Sequence, residues 1–113
     1  MLSQKFRISD RKVFDLLKQK GKSVGTSKFV FVYMSDSALE NSKFGVIASK
    51  KISKLAVTRN RIRRIIYAAL DKYVNDIKVN IYGLFIVRTD FSETKSTEVE
   101  KEIESVFKKS GII

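Results

Sequence analysis

The sequence predicts an α+β domain with three helices layered on one small sheet. Apolar residues recur at helical spacing in three separated segments, and they alternate or run continuously over strand-length stretches between them. The order is helix, strands, helix, strand, helix, without the strict strand–helix alternation of a parallel α/β fold. At 113 residues, 43% of them apolar and 11% aromatic, the chain can bury one core without metals or disulfides, so residues 1–113 read as a single domain. No repeat, low-complexity stretch or linker interrupts it.

Residues 9–20 read as the first helix, with Ser9 as its cap, Ile8 and Val13 as a hydrophobic staple, and Gly21 as the stop. Its apolar side is Val13, Phe14, Leu16 and Leu17. A short strand near Lys22–Gly25 brings the strand count to four. Residues 28–34 alternate as a strand, with Phe29, Phe31 and Tyr33 on one face and Val30 and Val32 on the other, so neither face is fully solvated. The polar connection 35–43 leads to a strand over Phe44–Ser49, expected to lie antiparallel to the preceding one. A central helix runs from Thr58 to Tyr73, with Ile62, Ile65, Ile66, Ala69, Leu70 and Tyr73 as its inner stripe. Residues 81–88 form an almost continuous apolar run, which suits a strand buried on both faces. The last helix covers 97–109, with Thr97 and Glu100 matching a capping box and Val99, Ile103, Val106 and Phe107 facing the core. Its acids, Glu98, Glu100, Glu102 and Glu104, are expected to face away from any polyanion.

Charge singles out one segment. Residues 50–64, KKISKLAVTRNRIRR, hold seven Lys and Arg and no acid, whereas the remaining sixteen bases face twelve acids; the net charge is +11. Like charges at helical spacing cost stability, and no acid within the segment relieves them. A basic face is often no more than a solvated surface. Here the density and the ordered helical setting point instead to a nucleic-acid partner, RNA ahead of DNA.

At about 100° per residue, the inward isoleucine stripe leaves Asn60, Arg64, Tyr67 and Asp71 on the outer face. Arg61 and Arg63 flank that face, and Lys50, Lys51 and Lys54 precede it. Arginine offers a planar fork for phosphate, lysine a mobile point charge. Asn60 both donates and accepts, so it can order a nucleotide, a water or a hydrated metal ion. Aromatics beside such a helix can stack unpaired bases, although Phe14, Phe31 and Tyr33, each judged alone, read as core residues rather than platforms unless they lie beside the basic helix.

Self-contained catalysis has little support. The chain has no His and no Cys, which removes the commonest general base, thiolate nucleophiles and disulfides. No carboxylate pair has catalytic or metal-site spacing, and Asp10, Asp15, Asp71 and Asp76 read as helix-surface acids. The five glycines are scattered, with no phosphate-cradling motif. No apolar run reaches the roughly 20 residues of a membrane span. The N-terminal MLSQKFRISD lacks the apolar core of an export signal. The expected setting is cytoplasmic, with peripheral membrane attachment as the other use of such charge.

The stretch Ser49-Lys50-Lys51, then Ala56-Val57-Thr58-Arg59-Asn60-Arg61-Ile62-Arg63-Arg64, resembles the signature of the bacterial ribonuclease P protein subunit in type, order and spacing. The likeness extends through Phe14, Gly21, the Phe29-Val30 strand and the Ile86-Val87-Arg88 strand end. It implies an α-β sandwich like domain 2 of ribosomal protein S5, with a left-handed βαβ crossover. It also implies a protein that binds the catalytic RNA of an endoribonuclease holoenzyme. That holoenzyme removes the 5′ leader of precursor tRNA using Mg²⁺ held mainly by the RNA, with no catalytic residue and no metal motif in the protein. On this likeness Lys50, Lys51, Arg59, Asn60, Arg61, Arg63 and Arg64 contact RNA; charge and the helical wheel add Lys54 and Tyr67 to that surface. Phe14 and the strand around Val32 correspond to a cleft for the single-stranded leader, with Lys18 at a cleft position on the first helix and Phe31 or Tyr33 joining it only if the strand register shifts.

Departures from the family pattern are Ser53-Lys54-Leu55 in the link, Lys18 and Val32 where cleft aromatics are common, and Tyr67 where arginine often stands. The alternative reading is a structural RNA-binding module such as a small ribosomal protein, which would ignore leader length. A DNA reader fits poorly, because no helix precedes the basic one at helix-turn-helix spacing.

Overall fold

The computed structural model describes residues 3–113; Met1 and Leu2, the start of the N-terminal segment read above, lie outside the described residues. The helices and strands follow in order: α1 (Arg11–Lys20), β1 (Lys22–Gly25), β2 (Phe29–Ser35), β3 (Lys43–Ile47), α2 (Ala56–Tyr73), β4 (Ile81–Val87) and α3 (Ser96–Ser110). The helix α1 is capped by Asp10, not Ser9: its carboxylate accepts from the Lys12 N–H at 2.9 Å. A charged acceptor at the positive end of a helix outcompetes a neighbouring hydroxyl. Gly21 ends α1 in an extended conformation. Its lack of a side chain serves close approach, since a Cβ there would collide with Val32 and meet the Leu17 carbonyl at 2.6 Å. The helix α3 starts one residue earlier than the capping-box reading, at Ser96, and has no side-chain cap. Gly111, with φ 76°, closes it in the left-handed turn that favours glycine.

The strand order is β1-β2-β4-β3. The first three are antiparallel neighbours, while β3 pairs with β4 in parallel. The antiparallel β2–β3 pairing expected from the sequence is therefore not formed. The most apolar strand, β4, takes the centre, where both its edges are paired and its Ile81, Phe85 and Val87 face is buried. The expected burial of both faces is only partial, because Tyr82 and Ile86 on the other face stay half-exposed. The chain reaches it from β3 through α2, the long crossover that a parallel pair requires. This leaves β3 at an edge, where Arg7 bridges Phe44 and the Ile8 N–H donates to the Phe44 carbonyl at 2.9 Å.

Strand alternation gives the sheet two unlike faces. Phe29 and Phe31 of β2, Phe44 of β3, and Ile81, Phe85 and Val87 of β4 point toward α2 and α3. They meet Ile62, Ile66, Ala69 and Leu70 of α2 and Val99, Ile103, Val106 and Phe107 of α3, all of them buried as their periodicity predicts. Val32 and Leu84 point the other way, against Leu17 of α1. The ten-residue α1 alone covers this second face and leaves Val30, Ile47, Tyr82 and Ile86 half-exposed.

Two glycines mark close approaches inside strands. A Cβ on Gly83 would lie 2.8 Å from the rings of both Phe31 and Phe44, which are fully buried. One on Gly45 would meet chiefly the half-buried Phe14 ring, at 2.6 Å. Gly83→Ala is therefore expected to destabilise the fold by about 1–3 kcal/mol through overpacking. Gly45→Ala should cost less, because Phe14 can swing toward solvent. Urea unfolding of the two variants checks the ranking, and equal losses would contradict it.

Candidate nucleic-acid interface

The basic segment divides into a braced loop and a helical face. In the loop, Ser53 accepts a hydrogen bond from the Leu55 N–H at 3.2 Å, and the Arg59 guanidinium donates to the Ser53 carbonyl at 2.9 Å. Arg59 thus spends one donor on tying the loop to the first turn of α2. Lys50, Lys51 and Lys54 stand exposed around this turn. Leu55 is the N-cap of α2 and offers no side-chain cap, so the first N–H groups of the helix find no partner there.

On the helix, Arg7, Asn60, Arg63, Arg64 and Tyr67 line one concavity of about 230 Å³. Arg63 is held in place: its guanidinium donates to the Asn60 side-chain oxygen at 2.9 Å and to the Ala48 carbonyl at 3.5 Å. The first of these uses Asn60 as an acceptor and leaves its NH₂ to donate outward. The Arg7 guanidinium lies over the Tyr67 ring, 4.6 Å from its centroid, within cation–π range. Burial pushes the Tyr67 phenol above its ordinary pKa, opposed by Arg7, Arg63 and a hydrogen bond with the Val46 backbone. It therefore stays a neutral donor at physiological pH. Five side chains, three of them cationic and none acidic, converge on this concavity, which suits a phosphate with a stacked base or ribose beside it.

The helical wheel places Asn60, Arg64 and Tyr67 on one face, and they line the concavity together. The two flanking arginines part company. Arg63 joins the concavity, whereas Arg61 turns away to Glu93 at 3.0 Å. Arg7 is the residue that sequence reasoning misses. It lies far from the basic segment in sequence, and only the bridge to Phe44 on the β3 edge brings it to Tyr67; no local pattern announces that. On α3, Glu100 and Glu104 are ion-paired with Lys72 and Lys108 at 2.8 Å each, and Glu102 with Lys28 at 2.9 Å.

The cleft residues sort by sheet face. Phe14 packs over Gly45 on the α1 face, with Lys18 exposed on the same helix. Phe31 cannot stack a base: strand alternation sends it to the opposite face, where it is fully buried against Phe85 and Phe107. Tyr33 follows Phe31 to that face and stacks on it, with centroids 5.4 Å apart. Val32 has the right face but is only 7% exposed. The apolar surface left open beside α1 belongs instead to Val30, Ile47, Tyr82 and Ile86. The row Val30–Ile86–Ile47 crosses the sheet at the end from which the basic loop departs.

Fold and concavity together define a basic α+β domain built to meet a polyanion. Among known proteins, the Ribonuclease P family model matches residues 2–111. The chain is 31% identical to the ribonuclease P protein component of Syntrophomonas wolfei over 112 residues, covering 99% of this chain and 92% of that one. It is 33% identical to the Bacillus cereus component over 111 residues, covering 98% and 96%. The solved structure of Staphylococcus aureus RNase P protein superposes with a TM-score of 0.83 at 24% identity, covering 95% of this chain and 96% of that one. The chain belongs to the ribonuclease P protein family, with the four-stranded, three-helix α+β fold of those structures. It is thereby a component of an endoribonuclease holoenzyme that processes tRNA, and its partner is the RNase P RNA.

Proposed function

We propose that this chain assists 5′ maturation of precursor tRNA by holding RNA on two surfaces while the RNase P RNA performs the cleavage. The observation that carries the reading is the convergence of Arg7, Asn60, Arg63, Arg64 and Tyr67 on one acid-free concavity. Its cations take RNA phosphates, and Lys50, Lys51 and Lys54 extend the same field along the loop. The half-exposed row Val30–Ile86–Ile47, with Phe14 and Lys18 on α1 beside it, receives the single-stranded leader. Unpaired bases find apolar contact there within reach of the basic loop.

Mg²⁺ belongs with the RNA on this reading. Among the described residues no three His, Cys, Asp or Glu side chains are grouped to hold a metal ion, and a surface lined by arginines repels a dication. The protein instead lowers repulsion between RNA backbones, which reduces the Mg²⁺ that folding and substrate binding require. No helix among the described residues is long and apolar enough to cross a membrane, and we place the work in the cytoplasm.

Reconstitution tests this. Protein alone should leave precursor tRNA intact; added to the cognate RNA, it should lower the Mg²⁺ concentration at half-maximal cleavage. It should also tighten binding of precursors with longer leaders. A Mg²⁺ requirement unmoved by the protein would refute the assignment, and indifference to leader length would restrict it to a structural role on the RNA.

A further inference from the structure

A second concavity, of about 280 Å³, lies at the corner of the sheet where α1 passes into β1, and Lys20, Lys22, Tyr33, Met34 and Ser35 line it. It lies across the sheet from the first concavity. Arg7 bridges Phe44 of β3, which pairs with Gly83 of β4, which in turn pairs with Tyr33 of β2. At roughly 4.8 Å per strand spacing, three spacings put Tyr33 about 14 Å from Arg7. The two concavities share no lining residue and are distinct sites.

We propose that this corner is a second RNA-binding site, one that takes a single unpaired nucleotide. Three observations support it. First, neither Lys20 nor Lys22 has a carboxylate partner among the described residues, while Lys28, Lys72 and Lys108 are each paired with an acid of α3. The nearest acid to Ser35 in sequence, Asp36, accepts the Ala38 N–H at 2.9 Å. Second, Tyr33 is a preorganised platform. Its ring lies 12° from parallel to Phe31, which Phe85 and Phe107 hold rigidly from behind. Only half-buried, Tyr33 keeps ring surface toward the cavity it lines. Third, the contents match a nucleotide part by part. The lysines answer the phosphate, Tyr33 and the thioether of Met34 the flat base, and the Ser35 hydroxyl a ribose or base edge. The volume sits just below the range of drug-sized ligand pockets, suiting one nucleotide.

Two sources can supply that nucleotide: the distal part of a precursor leader, or an unpaired segment of the RNase P RNA. The inference therefore does not require the leader cleft proposed above. The test uses reconstituted holoenzyme carrying K20Q/K22Q, Tyr33→Leu or Tyr33→Phe. One arm measures precursor affinity as the leader is lengthened a nucleotide at a time; the other measures protein affinity for the RNase P RNA without substrate. Each of the K20Q/K22Q and Tyr33→Leu variants should weaken binding about tenfold in one arm. Tyr33→Phe, which keeps the ring, should retain most of it. In that arm K20Q/K22Q should lower the salt slope by about 1.4 for a single-stranded segment, and Tyr33→Leu should leave it unchanged. A loss confined to longer leaders names the leader as the source, and a loss in RNA affinity names the RNase P RNA. Unchanged affinity in both arms for K20Q/K22Q, whose exposed side chains have no part in the core, overturns the proposal. A Tyr33→Phe variant as weak as Tyr33→Leu overturns the stacking role.

Discussion

Replacing Arg63 and Arg64 together with alanine is expected to weaken binding of the RNase P RNA about a hundredfold at moderate salt. Each guanidinium offers charge-assisted hydrogen bonds, worth roughly 1.5–3 kcal/mol apiece to a charged acceptor, so removing one from each arginine at the lower figure costs about 3 kcal/mol. The same variant should flatten the dependence of log affinity on log salt by about 1.8 if both side chains meet duplex phosphate. The effect at Arg63 has a second part. Its bonds to Asn60 and Ala48 position the Asn60 amide on the concavity, so alanine there also frees Asn60 to wander. Lys54→Ala, at an exposed loop position with no such network, should cost only a fewfold. Salt titrations of binding by the wild type, the double variant and Lys54→Ala make the comparison. A double variant no weaker than Lys54→Ala would remove the concavity from the interface.

Phe107→Ala should have the largest effect on stability, about 4 kcal/mol. Phe107 is fully buried on α3, and its ring sits within 5.3–6.4 Å of Phe31, Phe44, Tyr73 and Phe85. It joins α3 to three strands and to the end of α2. Removing the ring leaves a cavity that rigid aromatic neighbours cannot collapse to fill. A domain of this size has roughly 5–15 kcal/mol of stability in all. The melting temperature should therefore fall by roughly 15–25 °C. Urea unfolding should show a lower midpoint with an unchanged slope, since the surface exposed on unfolding is nearly the same. A drop below about 2 kcal/mol would mean that the aromatic cluster repacks. Any RNA-binding defect of this variant should vanish under conditions that keep it folded, unlike that of the arginine pair.

The two variants separate what is local in this chain from what is not. Helices announce themselves because their periodicity is a short-range property. The stripes Ile62–Ile66–Leu70 and Val99–Ile103–Phe107 are buried as the spacing requires, and the density of Lys and Arg in residues 50–64 is enough to mark a polyanion partner. The outer face Asn60–Arg64–Tyr67 is equally readable, since about 100° per residue places those side chains together whatever the rest of the chain does. The cap of α1 is not, because Ser9 and Asp10 are both competent and a small difference in electrostatics chooses between them.

Strand partners, by contrast, are chosen by competition among distant segments. Pairing β4 along both edges and burying its Ile81, Phe85 and Val87 face outweighs the short connection that would have paired β2 with β3, and that choice puts β3 at the edge. The exposed edge in turn recruits Arg7, from ahead of the first helix, to the side of Tyr67 in the middle of the chain. Packing also decides which aromatics meet solvent: period-two alternation links Phe31 and Tyr33 to one face, but only the placement of α2 and α3 makes that face the buried one. Spacing along the chain thus specifies which residues share a surface. Packing between elements specifies whether that surface is core or interface, because burial is a property of everything laid against it.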